Sequence, residues 1–310
     1  MTDFAAYPLR GPAAGFVIVV SMSLSDFLQT VYRPGHLGIG SGALNQMAIA
    51  VRLLDRWAKH PVRVSELSND LLLGFLSDYL QNRSPATVNA KRRFLLALWR
   101  YACKKGHPIK PPNDVPKIRE HRREPEGWTP DEIERIIVTA RQEAGVVGEC
   151  PAGLWWASLL LVVYSSGERI GALRQVLHSD VSFSHRGIFV RGEFRKTGRD
   201  KWRPLPDVSV AACAGIIRPT RERFWPWPYT REWLDERLRR ILRRSNVSYG
   251  RARGGLFNKF RRSAGSHIEA NGGDGSKHLD NTRAVFDRHY LDPRLADSSQ
   301  IDKLPPLDLN

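Results

Sequence analysis

The chain has 310 residues, with 48 Lys and Arg against 32 Asp and Glu, a formal charge of +16 that favours a polyanionic partner. Its 42% apolar and 26% charged residues exclude wholesale disorder, and the length fits about two domains. No apolar run reaches the roughly 18–20 residues of a membrane span, which excludes a helical integral membrane protein. Three cysteines, Cys103, Cys150 and Cys213, are odd in number and too far apart for a disulfide framework or a zinc knuckle, so a reducing, cytoplasmic compartment is expected.

Residues 1–21 hold a short apolar stretch, Phe16 to Val20, and no small-residue cleavage pattern. They read as an N-terminal arm, not an export signal. Ordered patterning begins after Met22, which reads as a second candidate start that would leave the arm untranslated. From Leu44 the positions Leu44, Met47, Ala48, Val51, Leu54 and Trp57 recur at three- and four-residue steps and predict one buried helical stripe. Ser68 caps a second helix that turns Leu72, Phe75, Leu76, Tyr79 and Leu80 inward. Ser84-Pro85 is an N-cap followed by proline at the first helical position, and opens a third helix to about Lys105. Its apolar face carries Val88, Leu95, Leu98, Trp99 and Ala102, while Lys91, Arg92, Arg93, Arg100, Lys104 and Lys105 supply cations elsewhere on its surface. Residues 22–106 are therefore expected to form a small helical bundle.

Residues 107–127 are rich in proline, alternate basic and acidic side chains and lack an apolar period, as an extended linker does. Thr129-Pro130-Asp131-Glu132 starts a new helix with a capping box. A buried helix is predicted over Gly153 to Tyr164. Gly187 to Val190 and Lys201 to Leu205 are β-like runs joined through Thr197-Gly198-Arg199-Asp200, a hairpin with Lys196 near its tip. Helices resume over Asp207 to Ile217, Thr230 to Arg244, Phe257 to Ala270 and Thr282 to Tyr290. Residues 128–296 thus read as a mainly helical second domain with a small antiparallel sheet, and 297–310 as a C-terminal tail. Trp225-Pro226-Trp227-Pro228 is expected to pack on the domain body, not to stack on bases.

Both domains are cationic, and between Arg191 and Arg262 there are 20 Lys or Arg against 7 Asp or Glu. Binding that neutralises phosphates with such side chains depends strongly on salt.

Tyr164-Ser165-Ser166-Gly167-Glu168-Arg169-Ile170-Gly171-Ala172-Leu173, followed by Leu177-His178-Ser179-Asp180-Val181, resembles the segment that delivers the first catalytic arginine in the tyrosine recombinases, the phage-integrase-like DNA strand-exchange enzymes. Arg195-Lys196-Thr197-Gly198 is similar to their catalytic lysine element. Asn258-Lys259-Phe260-Arg261-Arg262 falls where the family has a His-x-x-Arg box. Leu279-Asp280-Asn281-Thr282 resembles its Leu-Gly-His-Ser element, and Tyr290 follows nine residues after Asn281 at the nucleophile position. The resemblance spans about Leu24 to Pro293; each motif is weak alone, and their order and spacing are strong together.

The resemblance implies a fold that is mainly α: an N-terminal helical core-binding (SAM-like) domain plus a mixed α+β catalytic domain with a small antiparallel sheet. It implies a site-specific recombinase or integrase of a mobile element that cleaves and rejoins duplex DNA through a 3′-phosphotyrosyl intermediate, with Arg169, Lys196, Asn258, Arg261, Asn281 and Tyr290 as site residues. Two domains clamping DNA and a tetramer on paired sites are implied as well, with no metal and no cofactor.

The residue types fit that chemistry. Two guanidinium forks stabilise a five-coordinate phosphate, neighbouring cations favour a phenolate, and a lysine protonates the departing 5′-oxygen. Lys91, Arg92 and Arg100 on the third helix are the expected major-groove contacts. Asparagine stands at both usual histidine positions, Asn258 and Asn281, and cannot shuttle protons; His278 or His289 is the nearby substitute. Ala172 replaces a glutamate that often supports the first arginine. The two asparagines keep open a DNA-binding protein on the same scaffold without turnover, and a type IB topoisomerase, which uses similar chemistry, is a third reading.

Overall fold

The computed structural model describes residues 22–121, 124–218, 222–250 and 255–296. The arm at 1–21 and the tail at 297–310 lie outside the described residues. The chain divides into two compact units, Met1–Arg122 and Arg123–Asn310.

In the first unit, Ser23 caps α1 (Leu24–Phe27), which runs into a π-helical turn at Leu28–Tyr32. Then come α2 (Ser41–Ala58), α3 (Asn69–Gln81) and α4 (Pro85–Lys104). Ser68 and Ser84 accept backbone N–H groups that the first turns of α3 and α4 leave unpaired. Phe27, Leu54, Leu72, Val88, Leu95, Leu98 and Trp99 form the core. Of the segment read as an extended linker, residues 107–121 adhere to this unit. Val115 is buried, Trp99 Nε1 donates to the Lys110 carbonyl at 2.8 Å, and Asn89 pairs with the Ile118 backbone through both ends of its amide.

The second unit is built around α6 (Ala152–Ser166), apolar on every side and almost wholly buried, as expected of a helix packed all round. Against it lie α5 (Pro130–Arg141), α8 (Asp207–Ala214) and α10 (Leu256–Ala270). The predicted capping box at Thr129 and Glu132 is formed. A short hairpin of β1 (Val146–Val147) and β2 (Cys150–Pro151) precedes α6, and α7 (Ile170–Leu173) follows it.

Next is an antiparallel sheet of β3 (Val181–Ser182), β4 (Gly187–Val190) and β5 (Lys201–Pro204), in that order. Its register sets Ile188 opposite Arg203 and Val190 opposite Lys201, so Arg203 shares the buried face with two aliphatic residues. α9 (Arg231–Arg244), α11 (Gly275–His278), α12 (Arg283–His289) and α13 (Pro293–Ala296) complete the unit. Trp225 is buried, with Nε1 donating to Ser158 Oγ at 3.1 Å, so the Trp-Pro-Trp-Pro run packs on the body as expected. Among the described residues no helix is long and apolar enough to cross a membrane.

Candidate active site

α6 ends at Gly167, whose φ of 61° lies in the left-handed region. A Cβ there would come within 2.5 Å of Leu279 and 3.0 Å of the His278 ring, so glycine is required both for the turn and for the close approach of the 278–279 segment. The next two residues diverge. Glu168 enters the interior at 1% exposure, whereas Arg169, the extended N-cap of α7, stays half-buried.

Arg261 projects from the second turn of α10 and is itself 1% exposed. Its Nη2 donates to the Leu279 carbonyl at 3.2 Å, while Nε and Nη1 have no hydrogen-bond partner among the described residues. Desolvation and the adjacent Arg169 charge push its pKa down to about 10, which leaves it protonated at neutral pH. Two like-charged forks this close, with donors unused, make a receptor for an anion.

Tyr290 caps the C-terminal end of α12, where its N–H donates to the Phe286 carbonyl at 2.8 Å and its own carbonyl accepts from Ser266 Oγ at 3.3 Å. The Arg261 guanidinium carbon lies 5.5 Å from the centre of its ring. Burial works to raise the phenol pKa, but the charges of Arg261 and Arg169 outweigh it and hold the group below its ordinary value near 10. Tyr32 and Tyr164 shift the other way, raised by burial. Arg262, half-buried, adds a third positive charge facing Tyr290.

Around this cluster runs an ion network that the sequence reading did not identify. Glu168 accepts from Arg203 Nε at 2.7 Å and from Arg195 Nη2 at 2.9 Å. Arg195 Nη2 also reaches Asp280 at 3.0 Å, Lys201 pairs with Asp280 at 3.2 Å, and Arg203 Nη1 donates to the His278 carbonyl at 2.6 Å. Burial would raise the Glu168 pKa, yet Arg203 and Arg195 hold it below the usual glutamate value. The available signal was that Glu168, Arg195 and Asp280 are the immediate neighbours of Arg169, Lys196 and Asn281.

The structure thus brings Arg169, Arg261 and Tyr290 together. Lys196 is exposed on the loop between β4 and β5, without a hydrogen bond or ion pair to the described residues. Asn258 is exposed in the first turn of α10, one turn before Arg261. Asn281 is half-buried with Nδ2 unpaired. His289 is exposed, whereas His278 packs at the site with Nε2 unpaired. Desolvation and the Arg203, Arg261 and Lys201 charges drive the His278 pKa down to about 4, so it is a neutral imidazole at pH 7.

On α4 two of the three expected DNA contacts are engaged by hydrogen bonds within the unit. Lys91 is buried and donates to Gln46 Oε1 at 3.1 Å, and Arg92 donates from Nε to the Val115 carbonyl at 2.8 Å. Arg100 is exposed, in line with Arg93 and Lys104.

No protein-family model matches the sequence, and no curated protein matches it. Solved structures do. The Tn1549 transposon integrase (residues 82–397) in complex with a circular intermediate DNA superposes with a TM-score of 0.66 at 14% identity, over 91% of this chain and 97% of that one. A lambda integrase dimer bound to a COC′ core site gives 0.64 at 16% identity, over 93% of this chain and 79% of that one. Lambda integrase residues 75–356 bound to DNA give 0.63 at 17% identity, over 92% and 100%. This chain has the tyrosine-recombinase fold. The fold class expected from the sequence is the one observed, mainly α with small antiparallel sheets. At such identities the likeness concerns the fold, and the chemistry rests on the side chains that the tyrosine-recombinase fold here presents.

Proposed function

We propose that the chain is a site-specific DNA recombinase or integrase that cleaves and rejoins strands through a 3′-phosphotyrosyl intermediate. The observation that carries this reading is the phenol of Tyr290 held beside the guanidinium groups of Arg169 and Arg261, the Arg261 guanidinium carbon 5.5 Å from its ring centre, where both charges favour the phenolate. A scissile phosphate seated on the two forks meets donors already oriented and already desolvated, an arrangement worth about 10²–10³ in rate for each donor. Tyr290, having lost its proton to water, attacks phosphorus with Oη. The bond from phosphorus to O5′ breaks, and the electron pair leaves on the oxygen, which takes a proton from Lys196 Nζ. The new phosphodiester to tyrosine retains the bond for rejoining when a 5′-hydroxyl attacks in reverse.

Duplex DNA is the proposed partner. On the first unit the contact surface is the exposed line of Arg93, Arg100 and Lys104 on α4, with Lys91 and Arg92 occupied by internal bonds. Self-association as a tetramer on paired sites, service to a mobile element and a cytoplasmic location belong to the same proposal.

A second reading, DNA binding without turnover, is favoured by one observation: neither Asn258 nor the neutral His278 supplies a group that titrates near pH 7. A nicked suicide substrate separates the two. Strand cleavage predicts a protein–DNA adduct that survives denaturing electrophoresis and is abolished in Tyr290→Phe with DNA affinity unchanged. Binding without an adduct favours the second reading.

A further inference from the structure

Lys196 has a problem of placement. A proton donor must lie within about 2.6–3.2 Å of the leaving oxygen, yet this side chain is long, exposed and without a partner among the described residues. Its backbone is fixed by its neighbour instead. Arg195 is 3% exposed at its side chain. It closes the turn at both levels: its carbonyl accepts from the Gly198 N–H at 3.0 Å, and its Nη1 donates to the Arg199 carbonyl at 2.7 Å. The opposite nitrogen, Nη2, bridges Glu168 and Asp280. One planar fork therefore ties the lysine turn to the residue before Arg169 and to the residue before Asn281. Lysine at 195 carries its donors on one nitrogen and lacks the planar fork whose two nitrogens reach these three acceptors from opposite sides. Glu168, four positions before Ala172 on the first-arginine loop, is the buried carboxylate that holds Arg195 and Arg203.

We infer that Arg195, anchored by Glu168 and Asp280, is the positioning residue that sets Lys196 against the leaving oxygen. This rests on the strand-cleavage reading above. Its consequence is selective: loss of the anchor weakens protonation of the leaving group and spares attack by Tyr290, which depends on Arg169 and Arg261.

Asp280→Asn is the suitable perturbation. Residue 280 has a φ of 57°, which asparagine adopts readily, and the side chain is 33% exposed, so the fold tolerates the exchange. Two suicide substrates are compared in single-turnover cleavage, one with an ordinary 5′-oxygen and one with sulfur at that bridging position. With sulfur, the bond from phosphorus to S5′ breaks and the pair leaves as a thiolate, which needs no proton because thiols ionise near a pKa of about 8.5. General acids contribute about 10²–10⁴-fold, so a misplaced one is expected to cost Asp280→Asn at least about tenfold on the oxygen substrate. The loss on the sulfur substrate is expected to stay under about twofold, with DNA affinity unchanged. Arg195→Lys should follow the same pattern, and Lys196→Ala should exceed it. Equal slowing on both substrates, or slowing on neither, overturns the positioning role while leaving the cleavage reading intact. No adduct from the unaltered protein on either substrate overturns the cleavage reading itself, and the inference with it.

Discussion

Replacing Glu168 by glutamine removes one negative charge from a place where two arginine side chains converge with only 3% and 5% exposure. Volume is kept, and what changes is compensation. Arg195 retains Asp280 and the Arg199 carbonyl, and Arg203 retains the His278 carbonyl, but a buried positive charge is left unmatched. Deleting one partner of such a buried ion pair costs about 3–5 kcal/mol. With an m-value of about 2 kcal/mol/M in urea, the unfolding midpoint of the second unit should fall by roughly 2 M. Tryptophan fluorescence reports it, since seven of the nine tryptophans lie in that unit. The pH dependence adds an internal check. Glu168 is held below the ordinary glutamate pKa of 4.5, so its stabilising contribution is complete above that value and is lost as pH falls through the lower, folded-state pKa. The gap between wild type and Glu168→Gln should therefore close below about pH 4.5. A gap under about 1 kcal/mol at pH 7, or one that stays constant down to pH 3, refutes the reasoning.

Other consequences follow from single side chains. His278 is depressed from 6.5 to about 4, so its stabilising contribution is intact above pH 6.5 and is lost as pH falls toward 4; that shift amounts to about 3 kcal/mol, and His278→Gln should lose correspondingly less stability over that window in urea titrations. Arg100→Ala should weaken DNA binding at low salt and reduce the slope of log K against log salt by about 1, whereas Arg92→Ala should leave that slope unchanged. Arg92→Ala should instead destabilise the first unit by about 1.5–3 kcal/mol, because the Val115 carbonyl loses a charged donor.

Much of this architecture was legible in the residues themselves. Ser84-Pro85 and Thr129-Pro130-Asp131-Glu132 encode helix starts through local bonds that need no tertiary information, and both helices begin there. The apolar run in α6 announced a buried helix. The inward turn of Lys91 was readable too: it lies three residues after Val88 and four before Leu95, on the stripe that faces the core, and its charge drew attention away from its position. The adhesion of residues 107–121 to the first unit was not readable, because an irregular segment has no period and its partners, Asn89 and Trp99, are distant in sequence. The same reason hid the network of Glu168, Arg195, Arg203 and Asp280. It joins three segments up to 112 residues apart, from 168 to 280, and only the register of β4 and β5 turns Arg203 toward the interior.

In the proposed reaction one phenol, brought beside two guanidinium groups, becomes a nucleophile toward phosphorus. Peptide mapping of a trapped adduct tests it most directly. After nuclease and protease digestion, mass spectrometry should find a 3′-phosphonucleotide on the peptide that contains Tyr290. Attachment at Tyr164 or any other residue, or intact strands after prolonged incubation with bound protein, would contradict the account.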